Sequence, residues 1–211
     1  MTACGRRAAG VLVSGAGTNL AALLAAAADP AYPAAIVAVA SNRRDCPAVR
    51  LAAARGLPTL ALPTSRAGGD PVARDAQLAG WLRSHGVEIL VCAGYDRILQ
   101  APLLEAFRGR ILNVHPSLLP AFGGGMHAVE AALAHGVRVT GCTVHLVDEE
   151  VDAGPIVAQE AVAVLPGDTT ERLRERIHAV EWRLLPEALA GLATGRLVRD
   201  GRRLTIREGG G

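Results

Sequence analysis

The stretch Gly10-Val11-Leu12-Val13-Ser14-Gly15-Ala16-Gly17-Thr18-Asn19-Leu20 decides the fold. It opens as a short apolar run (residues 10–14), turns through two glycines, and enters an Ala/Leu-rich segment (19–28) closed by Asp29-Pro30. Strand, tight turn and helix in that order begin a β-α-β unit. Outward from it the same alternation repeats. Strands are predicted at 35–41, 58–62, 88–94 and 110–115, and helices near 47–55, 72–84 and 102–107. This pattern predicts an α/β fold with a doubly wound, mostly parallel sheet covered by helices on both faces. Beyond it a helix is predicted at 126–135. Two longer strands follow at 139–147 and 155–164, joined by the turn-rich segment 148–154, and they predict an antiparallel extension of the sheet. Gly167-Asp168-Thr169 announces a helix running to about Leu192, with Asp168 or Thr169 as N-cap. Strands at 197–199 and 204–206 flank Asp200-Gly201, a two-residue hairpin signal. Without a repeat or linker, residues 1–211 are expected to form one domain with a soft division near residue 100.

Composition removes several functions. The 211 residues carry 22 basic groups against 20 acidic ones, and every basic group is Arg. Without Lys there is no Schiff-base chemistry, no amine general base and no phosphate-loop Lys. Arg stays charged, so proton transfer must fall to His, Asp, Glu, Cys or Tyr. A net charge of +2 on scattered Arg, with two each of Trp, Tyr and Phe, is too little for a nucleic-acid surface. Cys4, Cys46, Cys92 and Cys142 lack metal-ligand spacing; Cys92 and Cys142 sit in apolar runs and read as buried hydrophobes. No leader and no membrane span is read, so a cytoplasmic protein is expected.

In a doubly wound sheet, ligands bind at the carboxyl ends of the strands. The three Asn of the chain, Asn19, Asn42 and Asn113, are each expected at or just after such an end. The glycine loop with the helix N-terminus behind it offers N–H groups to an anion, and Thr18 and Asn19 add side-chain donors. A dinucleotide site would need Gly where Leu20 stands and an acidic residue about 20 positions on, where Ser41-Asn42 stand instead. Both departures favour a single phosphate. In Leu112-Asn113-Val114-His115-Pro116, Asn113 and His115 share one face of an extended chain, and Pro116 ends the strand beside the imidazole. An amide donor beside a His can hold an oxyanion and move a proton. The acidic segment Asp148-Glu149-Glu150-Val151-Asp152 could aim a carboxylate at His115, raising its pKa and fixing its tautomer. Local chemistry does not choose among its four carboxylates. His127, His135 and His145 lack regular metal spacing, and no metal is expected.

Taken in order, Gly15-x-Gly17-Thr18-Asn19-Leu20, Gly94-Tyr95-Asp96-Arg97-Ile98-Leu99, Asn113-Val114-His115-Pro116-Ser117-Leu118-Leu119-Pro120 and Asp152-Ala153-Gly154-Pro155 resemble the phosphoribosylglycinamide formyltransferases of the formyl-folate superfamily. The resemblance covers about residues 10–195. It implies a Rossmann-like formyltransferase fold, with a phosphate-binding half (1–100), a catalytic and folate-binding half (101–195) and a C-terminal hairpin and tail (196–211). It implies a catalytic trio of Asn113, His115 and Asp152. Asp152 is selected by its place before Ala153-Gly154-Pro155. Gly17, Thr18, Asn19 and Leu20 would hold the substrate phosphate, and Glu181 the ribose hydroxyls. Asp96, Arg97, Ile98 and Leu99 would form a backbone wall reading the pterin, with 148–152, including Asp148, opposite. A folate-site Arg is expected near the third helix, and Arg74 is chosen. Departures are Asp96 where Met is frequent, Trp182 after Glu181 where His is common, and a 122–127 loop one residue long, with His127 as the loop His.

The implied reaction moves the formyl group of 10-formyltetrahydrofolate, a co-substrate, onto the amine of N1-(5-phosphoribosyl)glycinamide. Only small molecules are expected as partners, with no nucleic acid and no membrane, in a monomer or homodimer. The alternative is a formyltetrahydrofolate deformylase, whose pattern adds an N-terminal domain. A strand starting near residue 10 is expected to leave no room for it.

Overall fold

The computed structural model describes residues 5–63, 69–200 and 203–207. In chain order the elements are β1 (Arg7–Val13), α1 (Thr18–Ala27), β2 (Ala34–Ser41), α2 (Pro47–Ala53) and β3 (Thr59–Ala61). Then come α3 (Pro71–Ser84), β4 (Ile89–Cys92), α4 (Ala101–Ala106), β5 (Ile111–His115) and α5 (Ala128–Ala134). The chain continues through β6 (Val139–Leu146), β7 (Ile156–Ala163), α6 (Thr170–Ala193), β8 (Leu197–Asp200) and β9 (Arg203–Ile206).

Seven strands form one sheet in the order β3-β2-β1-β4-β5-β6-β7; β1 to β5 are parallel, while β6 pairs antiparallel with both β5 and β7. The expected α/β architecture with its antiparallel extension is therefore present. The strand order reverses at β1, so the ends of β1 and β4 open a crevice of the kind that takes ligands. β8 and β9 form a separate antiparallel pair, and the hairpin residue Gly201 lies outside the described residues.

Alternation along the strands divides the core. Ala9, Val11 and Val13 of β1 face one apolar cluster with Leu20 and Leu23 of α1, Val129 of α5, and Leu173, Ile177 and Leu185 of α6. Leu12 faces the other, with Leu78 and Leu82 of α3 and Leu103 of α4. Capping sets the helix starts. The Asp70 carboxylate accepts from the Val72 N–H at 2.8 Å, with Pro71 at the first helical position. Thr169, rather than Asp168, caps α6, accepting from the Arg172 N–H at 3.3 Å.

Two details differ from expectation. β1 begins at Arg7, three residues early, because Arg7-Ala8-Ala9 still pairs with 34–36 of β2. Asn113 lies in the middle of β5, not at its end, and reaches the crevice by the direction of its side chain.

Candidate active site

A cavity of about 520 Å³ opens at the carboxyl edge of the sheet. One end is the 15–19 loop. Gly17 sits at φ 84, and a Cβ there would stand 2.7 Å from Ala48 Cβ, so only Gly lets α1 start against α2. The loop is further held by Ala48 N–H and Cys46 Sγ, both donating to Gly15 O, at 3.3 and 3.2 Å. The first turn of α1 presents backbone N–H groups without intrahelical acceptors. Gly17, Thr18 and Asn19 line the cavity; Leu20 does not, since its side chain is fully buried in the core and only its backbone belongs to the helix start.

Asn19 also differs from expectation. Its Nδ2 donates to Glu181 Oε2 at 2.7 Å, committing the amide to α6. Burial pushes the Glu181 carboxyl up to about 7, opposed only in part by that hydrogen bond. The Asn19 Oδ1 atom is buried without a protein partner.

The wall after β4 contributes Asp96, Arg97, Ile98 and Leu99, with Ile98 strongly exposed. Asp148, Val151 and Asp152 stand in the opposite loop, and Met126 is exposed at the rim. Arg74 does not line the cavity. It lies behind the wall, its Nε 2.6 Å from buried Asp75 and its guanidinium 3.4 Å from the Ile98 carbonyl oxygen. Asn42 is likewise withdrawn: its Nδ2 donates to Asp96 Oδ1 at 2.6 Å, and Ser14 Oγ donates to its Oδ1 at 2.6 Å. The three Asn therefore do not form one set.

Between these ends lies a cluster of side chains. β5 and β6 pair so that Asn113 stands opposite His145, and His115 opposite Thr143. His145 Nδ1 lies 3.0 Å from the Leu146 carbonyl oxygen, which can only accept. The proton is therefore assigned to Nδ1, and Nε2 accepts from Asn113 Nδ2 at 3.0 Å. His115 Nε2 donates to the Phe122 carbonyl oxygen at 3.0 Å, and its Nδ1 faces Asp152 Oδ2 at 3.5 Å. The other Asp152 oxygen is 3.6 Å from His145 Nε2, too long for a good hydrogen bond, and the two attract only when that ring is protonated. Gly124 N–H donates to Asp152 Oδ2 at 2.8 Å. His145 when protonated, the Gly124 N–H and a protonated His115 hold the Asp152 carboxyl below its usual range, against the opposing effect of burial.

Local geometry explains why this carboxylate of the four reaches the imidazoles. Asp152 adopts φ 53, a left-handed conformation that Asp tolerates better than most residues. Gly154 follows where a Cβ would meet the Leu146 carbonyl oxygen at 1.8 Å, so the turn can lie flat on the end of β6 only with Gly. Thr143 Oγ1 donates to Ser117 O at 2.6 Å and accepts from Leu119 N–H at 3.1 Å, pinning the segment after His115.

Sequence reasoning missed four charged or imidazole side chains of the cavity: His145, Glu130, Arg174 and His178. Arg174, His178 and Glu181 are spaced four and three apart on α6, one helical face, which was a usable signal. Arg174 Nη2 donates to Glu130 Oε1 at 2.6 Å. Burial and the Arg174 charge lower the His178 pKa. Among the described residues no group of three or more His, Cys, Asp or Glu is arranged for a metal ion, and no helix is long and apolar enough to cross a membrane.

Comparison with known proteins places this geometry. Residues 7–189 match the formyl transferase family model. The chain is 47% identical over 204 residues to a phosphoribosylglycinamide formyltransferase of Mycobacterium tuberculosis, covering 93% of this chain and 92% of the relative. It is 45% identical to the trifunctional purine biosynthetic protein adenosine-3 of Gallus gallus over 88% of this chain, but spans only 18% of that longer protein. The crystal structure of glycinamide ribonucleotide transformylase 1 from Symbiobacterium toebii superposes with a TM-score of 0.92 at 46% identity, covering 97% of this chain and 95% of that one. Sequence and fold are thus shared over nearly the whole chain, and the chain belongs to the formyl transferase family, among its phosphoribosylglycinamide formyltransferases.

Proposed function

We infer that the chain transfers the formyl group of 10-formyltetrahydrofolate to the amine of N1-(5-phosphoribosyl)glycinamide, giving the formylglycinamide ribonucleotide and tetrahydrofolate in purine synthesis. The observation that carries this reading is the cluster of Asn113, His115 and Asp152, linked through His145 and set between the glycine loop and the 96–99 wall. The phosphate goes to the backbone N–H groups of Gly17 to Leu20 and the Thr18 hydroxyl. The ribose hydroxyls go to Glu181 and the Asn19 Oδ1 atom beside it. The pterin lies against 96–99, with Asp148 in the loop opposite.

The amine nitrogen attacks the formyl carbon, a C–N bond forms, and the carbonyl π electrons move to oxygen. An amide nitrogen carries two hydrogens; one of Asn113 serves His145, and the second meets the oxyanion. His115, carrying a proton, stabilises the same oxygen through its charge, its ring nitrogens facing the Phe122 carbonyl oxygen and Asp152. The ionised Asp152 carboxylate orients the ring and balances its charge. The proton lost by the attacking amine is relayed through Asp152 and His115, with water, to the folate nitrogen as its bond to the formyl carbon breaks. Arg74 acts from behind the wall, as a support for Ile98, rather than as a ligand to folate. The enzyme works in the cytoplasm as a monomer or homodimer.

The test mixes purified protein with a 10-formyl folate, with and without the ribonucleotide, and follows deformylated folate by absorbance. Release that depends on the ribonucleotide, with formylated ribonucleotide as product, supports the transferase. Equal release without it shows a deformylase and overturns the reading.

A further inference from the structure

The wall from Asp96 to Leu99 is suspended at both ends by carboxylates, a mostly covered one at Asp96 and a fully buried one at Asp75. At its start Asp96 is anchored twice. Its backbone N–H donates to Ser14 Oγ at 3.0 Å, at the end of β1. Its side-chain Oδ1 accepts from Asn42 Nδ2 at 2.6 Å, just past the end of β2. Ser14 Oγ also lies 3.2 Å from Asp96 Oδ1, and Arg43 pairs with Oδ2. Arg97 Nε stands 3.6 Å from Oδ1. Burial works to raise the Asp96 carboxyl, but Arg43, Asn42 and Ser14 outweigh it and hold it low. At the far end the fully buried Asp75 accepts from the Gln100 N–H at 2.7 Å, and Gln100 Nε2 donates to the Ile98 carbonyl oxygen at 3.1 Å.

The consequence is geometric. The Asp96 side chain is only 13% exposed although its residue lines the cavity. Its oxygens are committed to β1, β2 and Arg43, so it offers ligands its backbone rather than its charge. A loop that reads a ligand through backbone atoms needs its depth set from outside, since backbone atoms cannot change rotamer to follow the ligand.

We propose that Asp96 is a positioning residue that sets the depth of the 96–99 wall, tying it across β1 to β2 through Ser14, Asn42 and Arg43, so that folate affinity depends on this network. The proposal rests on the reading of 96–99 as the folate wall. It makes the network specific to one substrate: the ribonucleotide end, built on 15–19 and α6, shares none of these bonds.

The test measures KM for a 10-formyl folate and for the ribonucleotide, with kcat, in wild type, Asp96→Ala, Asp96→Asn and Arg43→Ala. Asp96→Ala is expected to raise the folate KM about tenfold, as loss of a charge-assisted anchor would. Asp96→Asn keeps the acceptor for Asn42, and Arg43→Ala keeps the carboxylate, so each should raise it about threefold. In all three the ribonucleotide KM should move less than about twofold. A role in stability alone would move both KM values together or neither, and either result overturns the proposal. Should Asp96→Ala not fold, Asp96→Asn and Arg43→Ala decide alone, and an unchanged folate KM in both overturns it. Wild-type protein with no affinity for the folate would instead sink the underlying reading of the wall.

Discussion

At its glycine-loop end the cavity offers backbone: a tight turn, a helix start and an amide turned away toward Glu181. At the antiparallel end it offers side chains, with Asn113, His115, His145 and Asp152 in mutual contact across β5, β6 and the following turn. The first end is made by parallel strands, whose neighbouring carboxyl ends feed loops into one crevice. The second depends on antiparallel register, which sets two residues of distant sequence directly opposite each other on one face. Binding through backbone tolerates a chain without Lys, because peptide N–H groups do not depend on residue type. Catalysis through side chains does not tolerate substitution, and the contrast predicts where changes will strike turnover and where affinity.

The largest effect is expected at the antiparallel end. Asn113→Ala should lower kcat about a hundredfold or more, as loss of one oxyanion donor does, with both KM values nearly unchanged. Steady-state kinetics with both substrates varied would show it; a loss confined to KM would break the division of labour. At the backbone end, Gly17→Ala should act the other way. Its Cβ would collide with Ala48 at 2.7 Å in a left-handed conformation, displacing the loop. The ribonucleotide KM should rise roughly tenfold, with the folate KM largely spared. A rise in the folate KM alone would contradict the assignment of ends.

A third expected effect is on stability, at Glu181. Its carboxyl is raised from 4.5 to about 7 in the folded chain. A folded-state pKa above the unfolded value means the folded chain binds this proton more tightly. The contribution is fully present below the unfolded pKa and lost as pH rises through about 7. At about 1.4 kcal/mol per unit this amounts to about 3 kcal/mol. Glu181→Gln, neutral throughout, should therefore gain on wild type between pH 5 and 8. Thermal melts at both values check it; curves that stay parallel would refute the pKa inversion.

What the sequence made legible was local. The glycine loop, the Asn-x-His spacing and the Pro that ends β5 each act within a few residues, and the folded chain puts them at the cavity. His145 was not legible as their neighbour, because 23 residues separate β5 from β6 and only the register brings it opposite Asn113. Arg174 and His178 share a helical face with Glu181, a periodicity open to reading that a search for motifs passes over. Asn42 was placed at the site edge by residue type and Arg74 in the site by the resemblance, yet each is held by a carboxylate, Asp96 and Asp75. Partners of buried polar groups follow from tertiary packing, which local sequence does not encode.

The central claim is that the antiparallel half carries the chemistry through His115. Single-turnover formyl transfer by purified His115→Ala, with both substrates saturating and their binding checked separately, tests it most directly. The account predicts transfer at least roughly a hundredfold slower with binding of both substrates retained. Transfer near the wild-type rate would contradict it.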